Sequence, residues 1–407
     1  MKHVVTDVLV IGGGPAGSAL SIHLARAGCP VILLERTAYS KFRAGESFPP
    51  SVTPYMMRLG AQEAFLQTGP EPVYGIQSAW GGEELERASF LTSPFLNGWQ
   101  VDRARFDAML SDAAEKWGAT VCRQAFVNEV EREPKGRWCV TASLPTGQAR
   151  FVSRFLVDAT GRNGRLAPHL GLTRMSVDHL VGVTGIFDQD PDREMLPSLV
   201  EAHPLGWWYS AGLPGRQALA TFFTDSDLCA AQKLTRRSEW LRVFRESSHT
   251  RERLARSVNR GSIGVFSAGT HCLQKAAGDS WIAVGDAVIG RDPLSSSGIS
   301  FALASAERGA SVLSALASGD QASANRYTDD IIADFRSYLE QRQAYYAIER
   351  RWVNSPFWKR RHELAGTTPN WTAFRIRHDR MRQRDPGYDP YRAAIGGALP
   401  SSSRGFA

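Results

Sequence analysis

The stretch DVLVIGGGPAGSALSIHLARAG, Asp7 to Gly28, decides the fold. It reads as a buried strand, a turn containing Gly12, Gly14 and Gly17 in G-x-G-x-x-G spacing, and a helix with apolar residues at helical intervals. The first glycine permits the tight turn, the second lets backbone approach a pyrophosphate, and the third lets helix pack on strand. The helix start at Pro15 and Ala16 favours the phosphate charge. A second strand, PVILLER, ends with Glu35 and Arg36. Glu35 stands where a carboxylate can accept hydrogen bonds from ribose hydroxyls. Strand, helix, strand and acid in this order predict a dinucleotide site in an α/β, Rossmann-like domain.

Composition sets outer bounds. The chain has 407 residues, 43% hydrophobic and 22% charged, enough for a large core in one large or two intergrown domains. No apolar run reaches the roughly 18 residues of a membrane span, and the N-terminus enters a strand directly, without a signal peptide's features. The expectation is a cytoplasmic protein with no membrane partner. Five scattered cysteines without a CxxC pair read as small buried apolar residues, and no histidine spacing suggests a metal site. The net charge of +7 is concentrated beyond Ile331, where 14 Lys+Arg face 7 Asp+Glu. Blocks such as RIRHDRMRQR (375–384) read first as a solvated face and second as a dock for an acidic partner. No nucleic-acid module accompanies the charge.

A second signal lies far downstream, in WIAVGDAVIGRDPLSSSGISFALASA (281–306): a buried strand ending in Gly285-Asp286, then a small-residue helix. Between the two ends lie QVDRARFDAMLSDAA (100–114) and RFLVDATGRNGRLA (154–167). Four signals in this order resemble the para-hydroxybenzoate hydroxylase and flavin-dependent halogenase superfamily. The resemblance implies FAD as cofactor, with Asp286 on the ribityl chain and Arg103 near the phosphates. It also implies that Pro293, Gly298 and Ile299 face the isoalloxazine, where helix-start amides stabilise negative charge. Gly45, Glu46 and Ser47, within RAGESFPPSV (43–52), look like the motif placed beside the flavin ring. No second dinucleotide fingerprint exists, so electrons come from transiently bound NAD(P)H or from a separate flavin reductase.

The superfamily halogenates, hydroxylates or reduces. Its halogenases deliver the halogen through a lysine beyond the Gly-Glu-Ser motif, yet no lysine occurs between Lys41 and Lys116. Tryptophan halogenases also carry a glutamate where this chain has Ser295, and their WxWxIP phrase is absent. SAWGG (78–82), HPLGWWYSAGLP (203–214), DPLSSSGI (292–299) and YYAIERRWVNSPFWKRRH (345–362) resemble the flavoprotein monooxygenases that mature cysteine tryptophylquinone enzymes, the lysine oxidase maturase type. That resemblance, spanning residues 1 to about 365, implies hydroxylation of a tryptophan in a partner polypeptide through a flavin C4a-hydroperoxide. Other readings are a small-molecule aromatic hydroxylase, a halogenase, a geranylgeranyl-type reductase, and a flavin-holding assembly factor without activity of its own.

The expected plan is an FAD-binding domain from 1–70, 98–175 and 263–320, with an inserted antiparallel-sheet substrate domain from 71–97 and 176–262. A C-terminal helical region with a basic tail, 321–407, follows, and its last residues, SSSRGFA, are expected to be poorly ordered. Two aromatic runs flanking Pro214-Gly215 predict a hairpin that roofs the flavin. Trp80, Trp207, Trp208 and Tyr209 are candidates for the pocket lining and equally for plain core. Glu46 is read as positioning the flavin or shuttling a proton. His203, beside the aromatic run, is the one histidine considered as a base.

Overall fold

Val8 to Ile11 are buried without interruption, as expected of a strand covered on both faces. In the computed structural model, which describes residues 2–134, 136–190 and 195–363, this strand (Lys2–Ile11) lies inside an eight-stranded sheet. It pairs in parallel with Val31–Leu34 on one side and with Gly147–Asp158 on the other. Thr120–Cys122 and Trp281–Ala283 extend the parallel core outward. Gly147–Asp158 is long enough to serve twice: its first half closes an antiparallel meander with Trp138–Leu144 and Phe126–Arg132. Helices Pro15–Arg26 and Gly298–Ala317 pack against each other on this sheet. Gly309 makes the approach possible, since a β-carbon there would sit 2.9 Å from Val284 and 3.1 Å from Leu20.

The second sheet has seven strands, in the order Val258–Ser267, Leu180–Asp188, Gln217–Asp225, Gly206–Leu213, Ser198–His203, Gly75–Ala79 and Glu86–Ser89. Its last strand in the chain runs five residues past the expected boundary at 262. The hairpin around Pro214-Gly215 forms with Gly215 in the left-handed region, φ +80°. Strand alternation then divides the aromatic run between faces. Trp208 points to a core with Phe222, Trp240 and Phe244, and Trp207 points the other way. Helix Arg237–Glu246 covers the Trp208 face, with the Trp240 indole donating to the Val183 carbonyl at 2.9 Å.

Two C-terminal helices join the layers. Ala322–Ile348 runs along the first sheet, where the Tyr327 hydroxyl donates to the Ala283 carbonyl. Pro356–Glu363 docks on the second, where the Trp358 indole donates to the His203 carbonyl and Arg361 pairs with Asp225. Residues 364–407, which include the basic blocks and SSSRGFA, lie outside the described residues. Among the described residues no helix is long and apolar enough to cross a membrane, and the five cysteines are free thiols.

Candidate active site

The three fingerprint glycines differ in what surrounds them. A β-carbon on Gly12, at φ +108°, would stand 2.2 Å from the Ala159 carbonyl oxygen, and one on Gly17 would stand 1.9 Å from the Gly12 oxygen. A β-carbon on Gly14 would meet nothing within 4 Å. Gly12 and Gly17 are thus demanded by packing, while Gly14 keeps open the space in front of the helix. Gly14 is also the N-cap of Pro15–Arg26, and no side chain caps that helix start and no acid lies in its first turn.

The Glu35 carboxylate is buried and already well bonded. It accepts from the Gly13 amide at 2.8 Å, from the amide and hydroxyl of Thr37, and from Arg43 at 3.0 Å. Arg43 continues to Asp107 at 2.7 Å, and Asp107 pairs with Arg103. Arg103 in turn donates to the carbonyls of Ala44 (2.7 Å) and Gly45 (3.0 Å). Alternating charges thus connect the ribose end of the expected cofactor site to the Gly45-Glu46 loop. Arg36 is exposed beside this chain of contacts. Arg43 and Asp107 lie within the stretches 43–52 and 100–114, and only their ion pairs single them out.

The downstream loop is equally constrained. Asp286 pairs with Arg162 at 3.1 Å, and Arg162 is held by the carbonyls of Gly269 and Arg291. Pro293 opens a short 3-10 turn that Asp292 caps through the Leu294 amide. Ser296 follows in the left-handed region, φ +47°, and the chain then enters the helix at Gly298 and Ile299. That helix start also has no side-chain cap and no acid in its first turn, whereas helix Arg103–Lys116 is capped by Asp102. Neither helix start has a side-chain cap for its first-turn amides, an arrangement suited to electronegative groups of a ligand.

At the seam between the sheets, Glu46 is 3% exposed, and its carboxylate accepts from the Gly45 amide at 2.7 Å. Burial pushes its pKa up, against the opposing pull of backbone amides, Arg103 and Tyr209. The Tyr209 hydroxyl lies among Glu46, Ser47 and Ser198, and burial raises its pKa as well. The Ser47 and Ser198 hydroxyls are 2.8 Å apart, and the Gln100 amide donates to Ser198 at 2.9 Å. Ser198 carried no sequence signal and Gln100 only its place at the start of 100–114; the folded chain brings both to Ser47, beside Glu46.

The remaining candidates divide by strand face. Trp80 and Trp207 pack edge to face in an aromatic cluster with Tyr346 and Trp358. Alternation sends Trp208 into the core with Phe222, Trp240 and Phe244, on the face opposite Tyr209. His203 lies on that same face. Its position opposite Gly206 places it on the Trp208 face, beside Phe222 and 3.5 Å from Glu246, where burial lowers its pKa.

A parallel sheet core, two helix starts without side-chain caps and an open Gly14 cradle fit a dinucleotide site, and the family match makes the protein a flavin-dependent oxidoreductase. The chain belongs to the FAD binding domain family, which it matches over residues 5–324. It is 33% identical over 366 residues to LodB of Marinomonas mediterranea, a protein that carries the name FAD-dependent oxidoreductase, covering 88% of this chain and 97% of LodB. It is 28% identical over 338 residues to the tryptophan 2-halogenase of Chondromyces crocatus, covering 79% of this chain and 64% of that one. The structure of the myxobacterial chondrochloren halogenase CndH is similar, with TM-score 0.79 and 25% identity over 89% of this chain and 88% of that one. The fold is also shared by QhpG, a peptidyl tryptophan dihydroxylase essential for tryptophylquinone cofactor biogenesis, with TM-score 0.69 and 24% identity over 88% and 79%. FAD is the cofactor, and the open Gly14 cradle and two bare helix starts fit it.

Proposed function

We propose that this enzyme is an FAD-dependent monooxygenase that inserts oxygen into an electron-rich aromatic ring, a tryptophan indole presented on a peptide or protein. The observation that carries the reaction type is Ser295, in the position where tryptophan halogenases carry glutamate. Its hydroxyl donates to the Asp292 carbonyl at 2.9 Å and lies 2.8 Å from the Ser297 hydroxyl, which makes it part of the turn. The missing lysine between Lys41 and Lys116 points the same way. The substrate reading is supported by the match to LodB along nearly its whole length, and by a fold shared with QhpG, whose own substrate is a peptidyl tryptophan.

When bound and reduced, FAD supplies the activation of dioxygen. In this reading Gly14 would leave room for the pyrophosphate, and the amides of Gly298 and Ile299 would hold the electronegative edge of the ring system. Burial raises the pKa of Glu46 and of Tyr209, and both side chains would line the seam beside the ring. Trp80 and Trp207 close the roof against water, which protects an oxygen-activating centre from wasteful turnover. Electrons arrive from NAD(P)H in an open cleft or from a separate flavin reductase.

The test is oxygen insertion, read by mass spectrometry, into free tryptophan, a tryptophan-containing peptide and an intact quinoprotein precursor, with a parallel reaction containing bromide. Oxygen should enter the peptide or protein and no bromotryptophan should form. Enzyme-dependent bromination above the free-flavin background refutes the reaction type. Equal oxygenation of free tryptophan refutes the peptidyl substrate.

A further inference from the structure

The mechanism above leaves unused a buried polar cluster behind the flavin-facing loop. Asp292 is 1% exposed, and its carboxylate accepts from the Leu294 amide at 3.0 Å, from Arg342 at 3.2 Å and from the Tyr346 hydroxyl at 2.7 Å. Arg342 also pairs with Asp178 at 2.6 Å, and the Asp292 amide donates to the Tyr338 hydroxyl at 2.6 Å. Tyr338, Arg342 and Tyr346 occupy one face of helix Ala322–Ile348, at the four-residue spacing that aligns helical side chains. Tyr346 has a second partner across the seam: the Trp207 indole N–H donates to its hydroxyl at 3.2 Å. One phenol thus accepts from the roof of the second sheet and donates to the loop that introduces Gly298.

We propose that Tyr346 is a positioning residue that couples the roof to the cofactor. Its hydroxyl joins Trp207 to Asp292 and so transmits the packing of the roof to the turn Pro293–Ser297 and the helix start behind it. The turn can transmit such a shift because Asp292 is bonded to it twice, through its carboxylate to the Leu294 amide and through its carbonyl to the Ser295 hydroxyl. The inference rests on the placement of the Gly298 and Ile299 amides at the flavin edge, and it is independent of what the enzyme oxygenates.

The experiment uses the full chain without substrate. FAD affinity by fluorescence titration, the visible spectrum of bound flavin and the melting temperature of the apoprotein are compared for wild type, Tyr346→Phe, Trp207→Phe and the double variant. Tyr346→Phe removes a hydrogen bond to a buried carboxylate, and FAD should bind about tenfold more weakly with a shifted flavin band. Trp207→Phe should act in the same direction but less strongly, and the double variant should be no worse than Tyr346→Phe alone, because both act through one hydroxyl. A lower melting temperature with unchanged affinity and spectrum reduces Tyr346 to a structural role and overturns the proposal. Additive effects of the two substitutions overturn the coupling. Should Tyr346→Phe fail to fold, Asp292→Asn, which keeps the side-chain shape, must reproduce the spectral shift, and an unchanged spectrum overturns the proposal equally.

Discussion

Replacing Gly14 by valine separates cofactor binding from folding. Gly14 has ordinary extended geometry, φ −75° and ψ −174°, and an added β-carbon meets nothing within 4 Å, so the apoprotein has no steric reason to change. Loss of glycine at an N-cap costs about 1 kcal/mol or less. The branched side chain nevertheless fills the space through which backbone amides reach a pyrophosphate. Losing two hydrogen bonds to a charged group, at about 1.5–3 kcal/mol each, weakens FAD binding by about 3–6 kcal/mol, or roughly a hundredfold to ten-thousandfold. Flavin content from the ratio of visible to protein absorbance, followed by FAD titration of the apoprotein, measures the loss, and calorimetry checks that the melting temperature barely moves. Gly17→Ala is the contrasting control: its β-carbon would sit 1.9 Å from the Gly12 oxygen, so the helix must shift and apoprotein stability must fall. A Gly14→Val protein purified with a full complement of FAD would refute the placement of the pyrophosphate.

Burial raises the pKa of Glu46, so the folded state keeps a proton that the unfolded state has released, and this contribution to stability is lost as pH rises from the unfolded value through the folded one. Glu46→Gln should therefore melt higher than wild type at pH 8 and show less advantage at pH 4.5; the opposite order would show that the carboxylate is the favoured folded form. His271, buried against Gly290 and bonded to the Asp286 carbonyl, is pushed down to about 4 by burial and neighbouring arginines. The unfolded chain takes up that proton first, so stability should fall by on the order of 3 kcal/mol as pH drops from about 6.5 to about 4. Urea titrations of wild type and His271→Gln across that range should show a flatter profile for the variant. His203→Gln should leave the rate of oxygen insertion unchanged, since the side chain lies on the far face of the second sheet; a large fall in kcat at constant flavin content would return it to the active site.

Local patterns announced the nucleotide end of the molecule. The glycine turn, the following helix, Glu35 and the Gly285-Asp286 strand end are each specified by neighbours within a few residues, because turn geometry and helix starts are short-range properties of the backbone. The hairpin at Pro214-Gly215 was legible for the same reason. The division of Trp207, Trp208 and Tyr209 between two faces follows from alternation, yet which face turns toward the cofactor depends on what covers each one. That was decided by helix Arg237–Glu246 on one side and by Tyr346 and Trp358 on the other, residues distant in sequence. Proximity to the aromatic run did not reveal that His203 shares the Trp208 face. Arg43, Asp107, Gln100 and Ser198 became visible only when strand pairing and ion pairs closed around them.

The sequence by itself determined that a dinucleotide would lie on a Rossmann-like sheet, since that site is built largely from backbone, and glycine positions record where backbone must turn or stay bare. Only the tertiary structure decided how the rest of the site is held, because buried charges must find partners wherever the chain passes. Asp292 meets Arg342 and Tyr346 at separations of 50 and 54 residues, and its loop is held by a helix that the sequence alone assigned to a separate C-terminal region.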